Sequence, residues 1–371
     1  GIEGFGATNT AAIFAGGATS PPSLVTTCNS YDGTSFASVP SLSNSASSGG
    51  TGGINTAGLF MSGIRTAPGT AGSDVEEFNT STNTITAAAF SSGGTMNTAR
   101  RYVSGFGLRT AGVAVAGYIT TNSAATEEYN GSSWTSTGNL GTARYSVGSC
   151  GVETAGLAFG GLPGNKTESE EYNGSSWSEG NNLNTGRGEL GAAGTQTAGL
   201  AFGGVITSSV SAATEEYDGS SWANSPNSMN TARRGEVGGA GIQTAALAFG
   251  GGYPGPSLGG NTEEYNGTSW TVGGTLNIAR ASPAGSSNGT QTAAFSCGGS
   301  NTATIANVES YDGTSWSTRP SLATAKKIAA GFATASDVVV AGGTGPGSNT
   351  ATTEEFNEET TAGNVTDFTT S

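Results

Sequence analysis

The chain has 371 residues, 63 of them glycine, a formal net charge of −14, three cysteines and no histidine. The acidic field disfavours nucleic acid and anionic membrane as partners. No apolar run reaches the ~18–20 residues of a membrane span. The missing histidine removes the commonest general base and transition-metal ligand.

Cys28, Cys150 and Cys297 are far apart in sequence and form no C-x-x-C motif, so they are expected to be buried free thiols. Short apolar runs between Gly-, Ser- and Thr-rich joints indicate many short strands and exclude a strict Gly-X-Y collagen period.

In chain order, one set of marks returns eight times. An aromatic stands at 31, 78, 129, 172, 217, 265, 311 and 356, 43 to 51 residues apart. An apolar run ending in glycine precedes each aromatic by 11 to 15 residues, at Gly17, Gly63, Gly117, Gly161, Gly204, Gly251, Gly299 and Gly343. A "TAR"-like mark follows from the second unit on, at Arg100, Arg144, Arg187, Arg233 and Arg280, with Lys326 as a relative. In the third unit, "YVSGFGL", "TAGVAVAG", "ATEEYNG" and "SSWTSTG" are each strand-length and punctuated by glycine or Asn-Gly. Four short antiparallel strands repeating every ~40–50 residues are the pattern of a β-propeller, one blade per repeat.

The expected fold is therefore all-β, a single closed propeller over 1–371. Its approximate blades are 1–47, 48–100, 101–144, 145–187, 188–233, 234–280, 281–326 and 327–371. Seven blades plus a tail is the alternative, because the last segment, "EETTAGNVTDFTTS", is weak and lacks tryptophan. The arginine and glycine spacings place the ends of the chain at the arginine slot, so the seam is expected between the last and first blades, with Gly1 beside Ser371. Gly1 also stands where cleavage after arginine would leave it, an expectation of a longer precursor.

The unit resembles a kelch repeat: "LAFGG" (157–161), then the tyrosine of "EEYNG", the tryptophan of "SSW" and the closing "TAR". The resemblance covers the whole chain. The tyrosine-to-tryptophan hairpin is shorter than the usual kelch pattern, except in "FNTSTNTI" (78–85). In style the repeats are also similar to kelch-like proteins of marine phages and environmental sequence. The catalytic form that this resemblance implies, a galactose-oxidase-like enzyme, holds copper through histidines and tyrosines, and this chain has no histidine.

Adjacent strand residues point to opposite faces, so Glu127 and Glu128 form no carboxylate dyad. Glu127 shares a face with Tyr129. The second glutamate of each unit (Glu77, Glu128, Glu171, Glu216, Glu264) takes a semi-buried slot and is expected to pair with the arginine that follows it (Arg100, Arg144, Arg187, Arg233, Arg280). In the imperfect last unit, the α-amino group of Gly1 could serve Glu355. The alternative is that the arginines ring one mouth and bind an anionic ligand.

Trp134, Trp177, Trp222, Trp270 and Trp316 are expected to pack between blades. "SYDGTSW" (310–316) fails the spacing of a sialidase Asp-box, and its Asp-Gly is expected to form a hairpin turn with positive φ. Asn130, Asn173 and Asn266 match glycosylation sequons but sit in such turns.

No catalytic residue, metal or cofactor is expected. The expected function is a non-catalytic structural or recognition module on a virion (tail or fibre) or cell surface, meeting a protein or glycan without nucleic-acid binding or membrane insertion. A lectin-like glycan binder is one alternative. An Asp/Glu-dependent hydrolase or lyase is another, and it would require two convergent carboxylates. Recognition is assigned to the loops after the Gly-Gly strand, "ATSPPSLV" (18–25), "GYPGPSLGGN" (252–261) and "TGPGSN" (344–349), with Tyr118 and Tyr253 as candidate ligand-binding aromatics.

Overall fold

The structure is a computed structural model that describes residues 3–370 except 9–10, 21–22, 55–56, 62, 67–69, 72–74, 80–81, 208, 254–257, 333, 335 and 365–366. Among the described residues all regular structure is strand, arranged in eight four-stranded antiparallel sheets and several two-stranded pairs, a β-propeller-like arrangement. The chain divides into two compact units, 88–358 and 1–87 with 359–371.

The 88–358 unit holds six sheets. Sheet I runs Ser104–Leu108, Ala111–Val115, Thr126–Tyr129, Trp134–Ser136. Sheet II is Gly148–Val152, Ala155–Phe159, Ser169–Tyr172, Trp177–Glu179. Sheet III is Gly191–Thr195, Ala198–Phe202, Thr214–Tyr217, Trp222–Asn224. Sheet IV is Gly238–Ile242, Ala245–Phe249, Thr262–Tyr265, Trp270–Val272. Sheet V is Ala284–Gly285, Ala294–Cys297, Val308–Tyr311, Trp316–Arg319. Sheet VI takes Ala330–Phe332, Val339–Ala341 and Thr353–Asn357 from the end of the unit and Ala89–Ser92 from its beginning. The first strands neighbour one another in cyclic order, I to VI and back to I.

Each junction between sheets has its own apolar core. Phe159 of sheet II meets Trp222 of sheet III at 4.8 Å, and Phe202 meets Trp270, and Phe249 Trp316, in the same way. Trp222 Nε1 donates to Ser169 Oγ of the preceding sheet at 2.9 Å, so the indole packs its rings and satisfies its one donor in the same place. The small residues of the repeat make room for this contact. A Cβ on Gly156 would stand 2.3 Å from the Phe106 ring of sheet I.

The other unit holds two sheets. Sheet N1 is Glu3–Thr8, Ala11–Ala15, Cys28–Tyr31, Phe36–Val39. Sheet N2 is Gly50–Ile54, Ala57–Met61, Val75–Asn79, with Asp367–Thr370 on its outer edge. Ile13, Ala15, Cys28 and Leu42 of the first sheet's segment pack on Phe60 and Phe78 of the second. The three thiols are free and buried.

Three strand pairings cross the eight-blade division, one of them Thr82–Thr86, expected in blade 48–100, with Thr360–Asn364, expected in blade 327–371. Ala89–Ser92, expected in blade 48–100, pairs with Thr353–Asn357, and Asp367–Thr370, expected in blade 327–371, pairs with Val75–Asn79. The cyclic series in 88–358 has six sheets, and the ends expected at the seam, Gly1 and Ser371, lie outside the described residues. The physical reason is that an outer edge strand docks through backbone groups that carry little partner information. Here Phe90 on Phe356, 5.3 Å between ring centres, fixes one pairing.

Candidate functional site

The repeated charges are internal. Arg100, Arg144, Arg187, Arg233 and Arg280 are all 0% exposed. Each pairs with the first glutamate of the next unit's third strand: Arg100 with Glu127 at 2.5 Å, Arg144 with Glu170 at 3.0 Å, Arg187 with Glu215, Arg233 with Glu263 at 2.5 Å and Arg280 with Glu309 at 2.5 Å. Lys326 pairs likewise with Glu354 at 3.0 Å.

The expected pairing of these arginines with Glu77, Glu128, Glu171, Glu216 and Glu264 is thus corrected, and their role as anion ligands at a mouth is closed by burial. The segment that carries each arginine crosses on the side of its sheet that faces the preceding sheet; Asn97 N, for instance, also donates to Glu127 Oε2 at 2.6 Å. Strand alternation turns the first glutamate to that side. The guanidinium also donates to backbone oxygens at the end of the second strand and the approach to the third, as Arg280 does to Gly298 and Asn307. Burial pulls the Arg280 pKa down, and the Glu309 charge opposes that shift.

The second glutamate faces the other way and accepts the tyrosine hydroxyl of the following sheet. Tyr172 donates to Glu128 at 2.5 Å, Tyr217 to Glu171 at 2.6 Å, Tyr311 to Glu264 at 2.6 Å, Tyr265 to Glu216 and Tyr129 to Glu355. Arg109 also holds Glu355, at 2.7 Å. The amino group of Gly1, expected to serve Glu355, lies outside the described residues. Burial and the glutamate bond push the Tyr129, Tyr265 and Tyr311 hydroxyls up to about 12. Between sheets V and VI the pair becomes Ser310 and Phe356, so glutamate and hydroxyl are replaced together.

The hairpin glycine takes the positive φ, 90° at Gly131, while Asn130 Oδ1 closes the turn by accepting from Ser132 N and Ser133 N at 2.9 Å. Thus the sequon asparagines act as turn caps.

What these bonds leave free collects at one end of the six sheets. Two residues past the slot of Arg100, Arg144, Arg187, Arg280 and Lys326, the chain adopts positive φ at Tyr102, Ser146, Glu189, Ser282 and Ile328; at Glu236 it does so three past Arg233, after the extra Gly235. Backbone N–H groups step around the axis: Tyr102 to Ile328 O at 2.9 Å, Ser146 to Tyr102 O and Glu189 to Ser146 O at 3.2 Å, Ser282 to Gly235 O at 2.8 Å and Ile328 to Ser282 O at 3.2 Å. The extra residue pushes Glu236 inward. Its carboxylate accepts Ser146 Oγ at 2.6 Å and Ser282 Oγ at 2.8 Å. Burial, with the charge of Glu189 added, lifts its pKa to about 7 against these hydroxyl bonds.

Above this belt lies a cavity of about 430 Å³ lined by Tyr102, Glu189, Arg234, Glu236, Tyr253 and Lys327 among others. Beside it Arg101 stacks on Tyr118, 4.9 Å from the ring centre, and Tyr145 touches both Tyr118 and Tyr102. Asn349 from the 344–349 loop fixes this corner by donating to Tyr118 O at 3.2 Å. Tyr253 Oη accepts Asn261 N at 3.4 Å. Of the loops expected to bind, 252–261 and 344–349 reach this end, with 254–257 outside the described residues. The 18–25 loop belongs to the two-sheet unit, with 21–22 outside the description.

Below the belt the axis narrows to a cavity of about 80 Å³. At its far end the insertion "SSN" (286–288) leaves sheet V and crosses the axis to sheets I and II. Asn288 Oδ1 accepts Gly107 N at 2.8 Å and its Nδ2 donates to Gly151 O at 2.9 Å. That excursion leaves the first strand of sheet V only two residues long.

Tyr118 and Tyr253 were accessible to sequence reasoning because both interrupt small-residue loops. Tyr102, Tyr145, Arg101, Arg234, Lys327, Glu189 and Glu236 were missed. Their one signal is position, one to three residues past the slot, where the repeats stop agreeing. Among the described residues no cluster of His, Cys, Asp and Glu could hold a metal, and no helix is long and apolar enough to cross a membrane. No protein-family model matches the chain, and no curated protein matches it significantly.

Proposed function

We propose that residues 88–358 form a closed six-bladed propeller of kelch type, acting as a non-catalytic recognition module that binds a glycan unit in the cup above Glu236. The cyclic order of the first strands and the outer strand donated by Ala89–Ser92 support the closed ring. One observation carries the functional reading. Six of the chain's 13 cationic side chains are locked in internal pairs, yet Arg101, Arg234 and Lys327 gather with four tyrosines and two glutamates at one mouth. Tyrosine faces stack on sugar rings and charged groups bond their hydroxyls, and the volume suits a small ligand. A glycan array followed by calorimetry on Tyr253→Ala and Tyr102→Ala tests it. Saturable binding weakened at least about tenfold by either change is expected; no saturable binding on the array overturns it.

A second reading, a glycan hydrolase, is favoured by Glu189 and Glu236 lining one cavity with Glu236 near pH 7, since such enzymes use a carboxylate pair with one raised pKa. Turnover of bound glycans that Glu236→Gln abolishes while binding persists would favour this reading over the first.

A further inference from the structure

Every junction in the six-sheet unit joins unlike faces. The leading face of one sheet offers an apolar residue before its closing glycine, phenylalanine in sheets II to IV, and at most junctions the second glutamate; the trailing face of the next offers a tryptophan or an aromatic in its place, and at most junctions a tyrosine. Sheets N1 and N2 make such a junction with each other. There glutamate and tyrosine are replaced by Ser30 and Phe78, the same joint replacement as Ser310 and Phe356 between sheets V and VI.

The two outward faces of the pair keep the functional halves. On N1, Tyr31 and Phe36 stand in the tyrosine and tryptophan places, 4.7 Å apart, with Phe14 5.7 Å from Phe36. Phe36 is 65% exposed and edges an apolar cavity of about 390 Å³. On N2, Met61 holds the phenylalanine place at 46% exposure, Leu59 beside it is 40% exposed, and Glu77 holds the glutamate place, also exposed. Strand Ala57–Met61 buries alternate residues only, whereas its counterparts in sheets I to IV bury both faces.

We infer that the occupant of each face is the opposite face of a second copy of this chain, N1 of one stacking on N2 of the other with Phe36 on Met61 and Tyr31 bonded to Glu77. Each face carries what the other lacks, in the order already used inside the pair, and contact between like faces would bring Glu77 no hydroxyl donor and leave Tyr31 on its local bond to Gly33 O. A thioether against an aromatic ring is a favourable substitute for the usual indole–phenyl contact. Unlike faces on opposite sides of the pair make the contact head-to-tail.

Sedimentation equilibrium of the full chain from about 1 to 300 μM tests this, a range that covers the micromolar constants of modest interfaces. The wild type is expected to associate with concentration, and Phe36→Asp and Met61→Asp each to stay monomeric. An equimolar mixture of the two variants is expected to form dimers and nothing larger, because each retains one working face. Glu77→Gln, which disturbs no packing and so guards against misfolding of the aspartate variants, is expected to weaken association about tenfold through loss of a charged hydrogen bond. A wild type that stays monomeric throughout, variants that associate alone, or a mixture that fails to pair overturns the inference. So does Glu77→Gln associating as the wild type does.

Discussion

Strand Ala155–Phe159 of sheet II and strand Ala57–Met61 of sheet N2 have the same outline, small and apolar residues leading to a glycine, but their surroundings differ. Leu157 and Phe159 are fully buried under sheet III, while Leu59 and Met61 are exposed. Sheet II has an arginine pair on one side and tyrosine–glutamate bonds on both; in N2, Glu76 takes the Ser43 N–H at 2.7 Å and Glu77 projects outward. The same strand outline is thus completed by neighbours in one unit and left with a free face in the other. The six-sheet unit should behave as the more cooperative of the two, because each of its sheets is held from both sides.

The largest change expected to break this contrast is Arg187→Met. It leaves Glu215 charged, fully buried and without its cation, which costs about 3–5 kcal/mol. Denaturant melts followed by tryptophan fluorescence report on the six-sheet unit, since all five tryptophans lie there, and they should show the loss; an unchanged midpoint would count against a structural role for the pair.

Next comes Tyr172→Phe, which removes the hydroxyl from Glu128 and should cost about 1–3 kcal/mol, whereas Tyr31→Phe, whose hydroxyl donates to the neutral Gly33 O, should cost well under 1 kcal/mol. Equal effects from hydrogen-exchange or denaturant measurements would erase the difference between the units.

Glu236→Gln sharpens the contrast through pH. The folded pKa of about 7 lies above the ordinary carboxylate value, so the folded state binds the proton more tightly. Its favourable contribution is complete below pH ~4.5 and is lost as pH rises through 7. Wild type should therefore lose about 1–3 kcal/mol relative to Glu236→Gln between those limits. Parallel stability curves for the two proteins would refute the assignment.

The smallest effect is expected at Leu59→Ala, within about 1 kcal/mol in the monomer at low concentration, against about 2–5 kcal/mol for Leu157→Ala at the matching buried place.

The repeat was legible because every unit needs the same strand lengths, turn residues and small residues beside a large aromatic. The existence of a buried counter-ion for the arginines was also legible, since a buried charge must be met. Which glutamate meets it was not. Glu127 and Glu128 have one composition and opposite faces, and only the path of the crossing segment brings Arg100 to the first. The mouth was half legible: Tyr118 and Tyr253 stand out in their loops. The inward turn of Glu236 depends on one extra glycine and a positive φ that no residue pattern announces.

By itself, the sequence determined an all-β chain of eight related strand groups with internal charges and no histidine chemistry. Those features are local: period, turn chemistry and the cost of burying charge act within a few dozen residues. Only the tertiary structure decided that six of the groups follow one another around an axis, that Ala89–Ser92 closes the sixth and that Asp367–Thr370 pairs with Val75–Asn79. Edge strands choose partners through backbone hydrogen bonds common to every residue, so their pairing is settled by where the rest of the chain delivers them.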